Sequence, residues 1–584
     1  MAGAIKESKA EAVKRESRGL RGTLKTALAN EDSGFVDSDA QLLKFHGIYQ
    51  GYDRDTATAR KNQGMAKDRR FMARVKIPGG RLTAEQYLTL DALADQYGAR
   101  NLRITTRQGI QFHGLVKSEL GPTLNAIHQA LMTTIAACGD VVRNVTATPA
   151  PRKDAVHRHL QEMARHLSQR FTPRSRAYAE VWYADEEAAA TELPTRAPTP
   201  PAVGVPPAGE DDPLYGDAYL PRKFKIGVAT PEDNSIDVLA NDLAVIALFE
   251  GERLTGYNIA VGGGLGLTHN KPQTYPRLAS LVAFVPPGEL EAVARAVILM
   301  QRDFGDRADR RHARLKYLVD DRGLPWIKAT IERYYGQALR DPAPMPPFEV
   351  VDHMGWHPQG DGRWYLGIPV SSGRIEDSGA LRLRTALRRI VGEYCAAPVF
   401  TATQDIILSE IRATDRAAID ATLREFGVTP AEALTPLERY AMACPALPTC
   451  GLALTEAERI RNPLVAEIVA ALTRHGLEQE RISLRITGCP NGCARPYAGE
   501  IGIVGRTPGQ YALFLGGDFP GTRLNRLVFE RVPYAQVAAT LERVFGHFAT
   551  ARLEGETFGD FCHRLPNEAL RALAADLTDR AAVA

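Results

Sequence analysis

Two distant stretches of the chain share one pattern, and a chain that repeats itself is expected to fold as two related halves. In the first, Phe71–Ile77 reads as a strand and Pro78-Gly79-Gly80 as a turn. Leu90, Leu93, Ala94 and Tyr97 then recur at helical spacing, with Gly98 placed to end the helix. A strand over Leu102–Thr106 leads into Arg107-Gln-Gly-Ile-Gln-Phe-His-Gly114. In the second, Trp364–Val370 reads as a strand and Ser371–Arg374 as a turn. Leu383, Leu387, Ile390, Val391 and Tyr394 form a helical stripe, and one strand is expected over Val399–Leu408. Laid over each other, Ile104–Ile110 matches Phe400–Ile406. Both copies read β-turn-α-β. Each is followed by a further unit with a glycine-rich stretch, Val261-Gly-Gly-Gly-Leu-Gly266 in one and Leu515-Gly-Gly517 in the other. Two halves related by a pseudo-twofold place a site at their junction.

With 584 residues the chain exceeds one simple core, and 44% apolar with 24% charged residues is ordinary globular composition. A net charge of +3 excludes a polycation and gives no reason to expect nucleic acid as a partner. No segment reaches the ~18 apolar residues of a membrane helix. Residues 1–22 are charged and lack the apolar run of a secretory signal. The expected location is therefore cytoplasmic, without a membrane partner. Residues 1 to about 40 are polar and read as an arm or docking tail. Seven prolines between Pro194 and Pro213 read as a linker or surface loop.

Four of the seven cysteines cluster: Cys444-x5-Cys450, then Cys489-x3-Cys493. An odd count in a large chain argues against a disulfide framework. Four thiolates in two close pairs are what a cubane iron–sulfur cluster requires, one per iron. Gly451, Gly488 and Gly492 let backbone approach inorganic sulfide, and Pro445, Pro448 and Pro490 stiffen the loops. Structural zinc is the alternative; it accepts the x3 spacing but is poorly served by x5. The remaining thiols, Cys138, Cys395 and Cys562, read as packed or neutral. Spacing alone does not reach a second cofactor.

With these residues assembled, the sequence resembles the siroheme-dependent sulfite and nitrite reductases. Within that family it is most similar to the hemoprotein (β) subunits of the NADPH-dependent assimilatory sulfite reductases. The likeness rests on the cysteine signature with Thr487-Gly-Cys-Pro-Asn-Gly-Cys493. It extends over Leu42–Tyr49, Arg103-Ile-Thr-Thr-Arg-Gln108, Gln111-Phe-His-Gly114, Arg143-Asn144, Leu220-Pro-Arg-Lys-Phe-Lys225, Val261–Gly264 and Gly559-Asp-Phe561. The resemblance implies an α/β (α+β), three-domain fold with a pseudo-twofold internal repeat: ferredoxin-like halves plus two siroheme- and cluster-binding units. The expected division is an arm over 1–62 for partner docking, a first ferredoxin-like half over 63–140, and a first siroheme and substrate unit over 141–345. A second half follows over 346–425, and a [4Fe–4S] and siroheme unit over 426–584.

The resemblance also implies roles. Cys444, Cys450, Cys489 and Cys493 would hold a [4Fe–4S] cluster, and Cys493 would also bridge to the siroheme iron. Arg74, Arg143, Lys223 and Lys225 would line the pocket for the oxyanion and organise protons. Arg103, Arg107, Gln111, His113 and Asn144 would contact the macrocycle, whose eight carboxylates demand cations and donors. In the second copy Thr403, Ile407 and Ser409 stand at the positions of Arg107, Gln111 and His113, so one site per chain is expected. Lys223 and Lys225, two apart, would face one side of a strand. The implied activity is six-electron reduction of sulfite to sulfide, with nitrite reduction to ammonia as the alternative. Outside this class stands a zinc- or cluster-bearing protein without turnover. No flavin or NADPH motif is found, so electrons must come from another protein: a diflavin NADPH reductase subunit, with ferredoxin as the alternative.

Overall fold

The computed structural model describes residues 6–183 and 212–575. All of the proline-rich stretch except Asp212 and Pro213 lies outside the described residues.

The repeat is present and more complete than its sequence trace. In the first half, strands Ile48–Tyr52, Arg69–Val75, Ile110–Leu115 and Leu102–Ile104 lie side by side in that order, all antiparallel. In the second, Gly355–Pro358, Arg363–Ile368, Ile406–Arg412 and Ala397–Phe400 do the same. Helices Ala84–Gln96 and Leu120–Gln129 pair with Leu383–Tyr394 and Arg416–Glu425 as the counterparts. Both halves run β-β-α-β-β-α. The helix from Ala84 starts on a capping box, in which Thr83 Oγ1 accepts from Gln86 N and Gln86 Oε1 from Thr83 N.

The strand expected over Val399–Leu408 is in fact two strands. The chain reverses between Phe400 and Ile406, where Asp405 N donates to Thr401 Oγ1 at 2.8 Å and Thr401 N to Asp405 O at 2.9 Å. Gln404 sits at φ 77°. The first half turns the same way, with Gln108 at φ 56° and Gly109 N on Thr105 Oγ1 at 3.1 Å. The turn is built from side-chain oxygens and contains no proline, so hydropathy ran straight through it.

The halves clasp each other. Arg374–Ile375 of the second half joins the first sheet beside Leu102–Arg103, and Arg81 of the first half bridges to Val399 of the second sheet. Gly80 (φ 79°) lies against the Phe400 carbonyl, and Gly373 (φ 72°) against that of Ile104, its counterpart. A Cβ at these glycines would sit 2.2 and 2.3 Å from those oxygens. Gly80→Ala is therefore expected to destabilise the fold by at least about 2 kcal/mol, through strain at positive φ and a backbone clash. Thermal or denaturant unfolding would show it.

Each half leads into a five-stranded sheet. Thr146–Ala147, Ile226–Ala229, Leu243–Glu250, Arg253–Val261 and Ser280–Val285 make the first. Ala441–Ala443, Leu484–Thr487, Ile501–Thr507, Gln510–Leu515 and Arg526–Pro533 make the second. In both, the first three strands are parallel and the last two antiparallel.

The arm packs against the body and is no free tail over its described part. Short helices Lys9–Arg15, Leu24–Leu28 and Asp37–Leu42 lie on it. Lys14, fully buried, donates to Leu220 O at 2.8 Å and pairs with Glu11 at 2.5 Å. Glu11 also pairs with Arg307. These charges are buried because each is partnered. Among the described residues no helix is long and apolar enough to cross a membrane.

Candidate functional site

Parallel pairing brings the cysteines together. Ala443 is in register with Ile486, so Cys444 and the Gly488–Cys493 loop leave adjacent strand ends on the same side. Gly488 N points at Cys444 Sγ, 3.3 Å away. A Cβ at Gly488 would lie 2.5 Å from Thr455 O, so only glycine lets the loop come this close. Gly492 needs its freedom for φ 64°. Gly451 has open space around it and no such requirement. The cysteine-free unit also reaches in: Leu267 N donates to Pro490 O at 3.1 Å, and Gly266 rests against the Asn491 carbonyl.

The thiols sense one another. Burial, and next the neighbouring Cys493, push Cys444 and Cys450 up and Cys489 to about 12. Keeping them as thiolates takes positive charge among them, which iron supplies. Among the described residues no three His, Cys, Asp or Glu side chains gather tightly enough for a single metal ion. Four cysteines carried by loops at adjacent strand ends, each acting electrostatically on its neighbours, are a donor set that fits a polynuclear cluster, one thiolate per iron. Of the other thiols, Cys138 and Cys562 are buried and Cys395 is exposed.

Basic residues form the next wall. Arg374, Arg103, Gln111 and Arg74 are successive cross-strand neighbours on one face of the first sheet. His113 follows two residues after Gln111 on that face. With its amide oxygen toward Arg74, Gln111 accepts from Arg74 Nη2 at 2.6 Å and donates to His113 Nε2 at 3.3 Å. Neighbouring cations repel, and only part of the row is neutralised. Glu458 takes Arg374 at 2.7 Å and Arg103 at 3.5 Å. Arg103 is 1% exposed and donates to Ser372 O and Ala443 O, so in this structure it braces the residue before Cys444 from behind the wall.

Near this row are Arg143, Asn144, Lys223 and Lys225: Arg143 and Arg74 both act on Tyr49, Arg143 also acts on the two lysines, and Asn144 donates to Arg107 O. The two lysines do not sit in a regular strand. They precede strand Ile226–Ala229 in an extended run bridged at Phe224 to Val142. Alternation still holds: Phe224 and Ile226 are buried, and both lysines face the other way. Arg143 donates to Gly139 O. Arg107 donates to Asn241 Oδ1 at 2.8 Å and to the carbonyls of Asn144 and Ile226. Nearby carboxylates are already engaged. Asp140 serves Arg310, Lys14 and Arg222, and Arg314 holds Asp242 through two bonds. No ion pair to Arg74, Arg143, Lys223 or Lys225 forms among the described residues. Burial comes first, then Lys225 and Arg222, in holding Lys223 well below the usual lysine range. Burial, then Arg314 and Arg107, does the same to Lys225.

Two residues of this pocket escaped the sequence reading. Arg74 Nη1 donates to Cys138 Sγ at 3.1 Å, and its guanidinium lies 5.9 Å from the centre of the Tyr49 ring. Burial, and next Cys138, push the Tyr49 phenol up, so it remains a protonated donor. Tyr49 closes the quoted Leu42–Tyr49 run, and that was its one signal. Cys138 had none.

A polycarboxylated macrocycle fits these surroundings. The Asn144 amide nitrogen is spent on the carbonyls of Ile77 and Arg107, which leaves its buried Oδ1 an acceptor. Arg107 Nε and His113 Nδ1 are buried donors without a partner, and beside them stand cations that have no ion-pair partner among the described residues. Buried groups of this kind are satisfied by an anionic ligand with many oxygens.

The description "Nitrite and sulphite reductase 4Fe-4S domain" matches residues 162–339, and "Nitrite/Sulfite reductase ferredoxin-like half domain" matches 64–130 and 357–426. The first segment contains no cysteine; the clustered cysteines lie in its structural counterpart. A protein named "Sulfite reductase [ferredoxin]" from Synechococcus elongatus is 44% identical, covering 99% of this chain and 92% of that one. A "Sulfite reductase [NADPH] hemoprotein beta-component" from Myxococcus xanthus is 43% identical, covering 95% and 96%. The solved structure of the Mycobacterium tuberculosis NirA protein aligns with TM-score 0.77 at 25% identity, covering 97% of this chain and 98% of that one.

Proposed function

The chain belongs to the nitrite and sulphite reductase family, and from that premise we propose that it is a sulfite reductase hemoprotein that carries six electrons to sulfite and releases sulfide. The carrying observation is the set of four cations without an ion-pair partner among the described residues, Arg74, Arg143, Lys223 and Lys225, linked to the four-cysteine loops through the Thr106–Arg107 turn, which donates to Cys493 O on one side and to Asn144 O on the other. Cys444, Cys450, Cys489 and Cys493 would hold the [4Fe–4S] cluster. Siroheme would lie between the basic walls, with Cys493 as the shared ligand. Together these groups supply an electron store and an iron atom at which an S–O bond can break.

The chain's own residues do the rest. Four cations bind the oxyanion and balance charge as electrons arrive. A lysine ammonium gives up a proton as oxygen leaves as water, and its lowered affinity for that proton favours the transfer. The Tyr49 hydroxyl can donate a hydrogen bond in the same pocket. Arg107, Gln111 and His113 would meet the macrocycle's carboxylates, Asn144 orders that wall by donating to the carbonyls of Ile77 and Arg107, and Arg103 holds the segment of Cys444. Single electrons come from a separate flavoprotein, as the name of the Myxococcus relative suggests; ferredoxin, in the name of the Synechococcus relative, is the second donor to test.

The deciding experiment is kcat/KM for sulfite and for nitrite, on anaerobic protein with one artificial electron donor. A preference for sulfite with sulfide as product is expected. A preference for nitrite with ammonia as product would move the assignment to nitrite reduction.

A pH prediction follows from the lysines. Their folded affinity for protons is lowered, so their charge is lost at lower pH than an ordinary lysine's. The alkaline limb of kcat/KM for sulfite is expected well below pH ~10.4, the free lysine value. Lys225→Arg, which stays charged, should move that limb upward. An unmoved limb would free Lys225 of this role.

A further inference from the structure

Asp237 and Arg495 occupy equivalent places in the two five-stranded units. Each has left-handed backbone, at φ 49° and 54°, and each leads directly into a short 3-10 turn, Val238–Ala240 and Pro496–Ala498. These counterparts pair with each other. The Asp237 carboxylate accepts from Arg495 Nε, and from Arg485 Nη1 at 2.5 Å and Nη2 at 3.2 Å. Arg495 Nη1 donates to the carbonyls of Thr106 and Ala402, both at 3.0 Å. Thr106 and Ala402 are the matched residues of the two half-domain turns. One guanidinium is thus where all four quasi-repeated pieces meet.

Cys493 lies two residues before this guanidinium. Arg495 N donates to Gly492 O at 3.0 Å, and Thr106 Oγ1 to Cys493 O at 3.0 Å. The side chains of Asp237, Arg485 and Arg495 are at most 10% exposed. Two guanidiniums share one carboxylate, which leaves a net positive charge buried behind the loop. Low surrounding polarity lets such a charge act strongly on its neighbours.

We propose that Asp237 is a positioning residue for Cys493: it holds Arg495 on the pseudo-twofold axis, so that the Cys493 loop keeps one geometry and a fixed cationic charge stands behind the thiolates. The proposal rests on the cluster assignment above. Asp237→Asn keeps the shape and removes the negative charge. The variant is expected to hold as much iron as the parent, to show a cluster midpoint potential moved in the positive direction, and to have an altered visible and EPR signature. Its kcat for sulfite should fall several-fold with KM little changed. Arg485→Gln removes one cation and should move the potential in the negative direction; it carries the test if Asp237→Asn does not fold. A loaded variant whose potential and spectra match the parent overturns the proposal, even if its melting temperature drops. A parent protein that binds no iron overturns it together with the cluster assignment.

Discussion

Cys493→Ser is expected to lose the cluster and siroheme signals together and to abolish sulfite reduction. Cys493 is exposed, in contrast to Cys444 and Cys489, which are buried. Thr106, from the turn of the first half that precedes Arg107, donates to the Cys493 carbonyl. If Cys493 serves both cofactors, as proposed above, it cannot be removed from one alone. A serine hydroxyl is a hard, poorly ionised donor and does not replace a soft thiolate on iron. The loss should exceed the roughly 100-fold that removing an outer-shell partner costs a metal site. Visible spectra and iron content of the anaerobically purified variant give the answer. Loss of the cluster with an intact macrocycle spectrum would refute the shared ligand.

Lys223→Ala is expected to leave both spectra intact and to lower kcat about 10²- to 10³-fold, the range for removing one preorganised charge from a reacting oxyanion. Lys223 faces the pocket beside Lys225, with Phe224 buried behind them. Its backbone is set by neighbours that the substitution leaves in place: Arg143 N on Phe224 O at 2.9 Å, and Phe224 N on Val141 O at 3.0 Å. Alanine should therefore fold. Removing one of several crowded cations also relieves repulsion, so stability should hold or rise slightly. Steady-state turnover beside an absorption spectrum checks both halves of the expectation. Unchanged turnover would exclude Lys223 from the reaction.

How much of this was legible depended on what carries each feature. The match of Ile104–Ile110 with Phe400–Ile406 in sequence coincides with the structural one, because a strand end and a positive-φ glutamine occur at the same places in both. The hairpin at Thr401–Asp405 was missed because Thr401, Thr403 and Asp405 make it with side-chain oxygens that read as strand polarity. The matching topology of the five-stranded sheets left one sequence trace, the glycines that follow the fourth strand in each at Gly262 and Gly516; register and strand direction are tertiary facts and left none. Cysteine spacing was read directly, because a cluster's geometry demands it. Arg103 came from the family motif, and the fold adds that its Nε and Nη2 bond Ser372 O and Ala443 O while its buried Nη1 has no hydrogen-bond partner. Motif membership does not say which way an arginine points. Asp237 and Arg495 carried no motif at all; only the fold shows them to be counterparts.

The clasp between the halves has a consequence for how the pocket handles its guest. Each half lends backbone to the other's sheet, at Arg374–Ile375 and at Arg81. Gly80 and Gly373 bring the two chains into direct backbone contact. Two lobes stitched in this way cannot swing apart like a clamshell, because opening would break ladder hydrogen bonds on both sides at once. The seam between the halves is therefore expected to hold its width during turnover. Partly reduced intermediates must be retained by the standing charge of the walls rather than by a closing jaw.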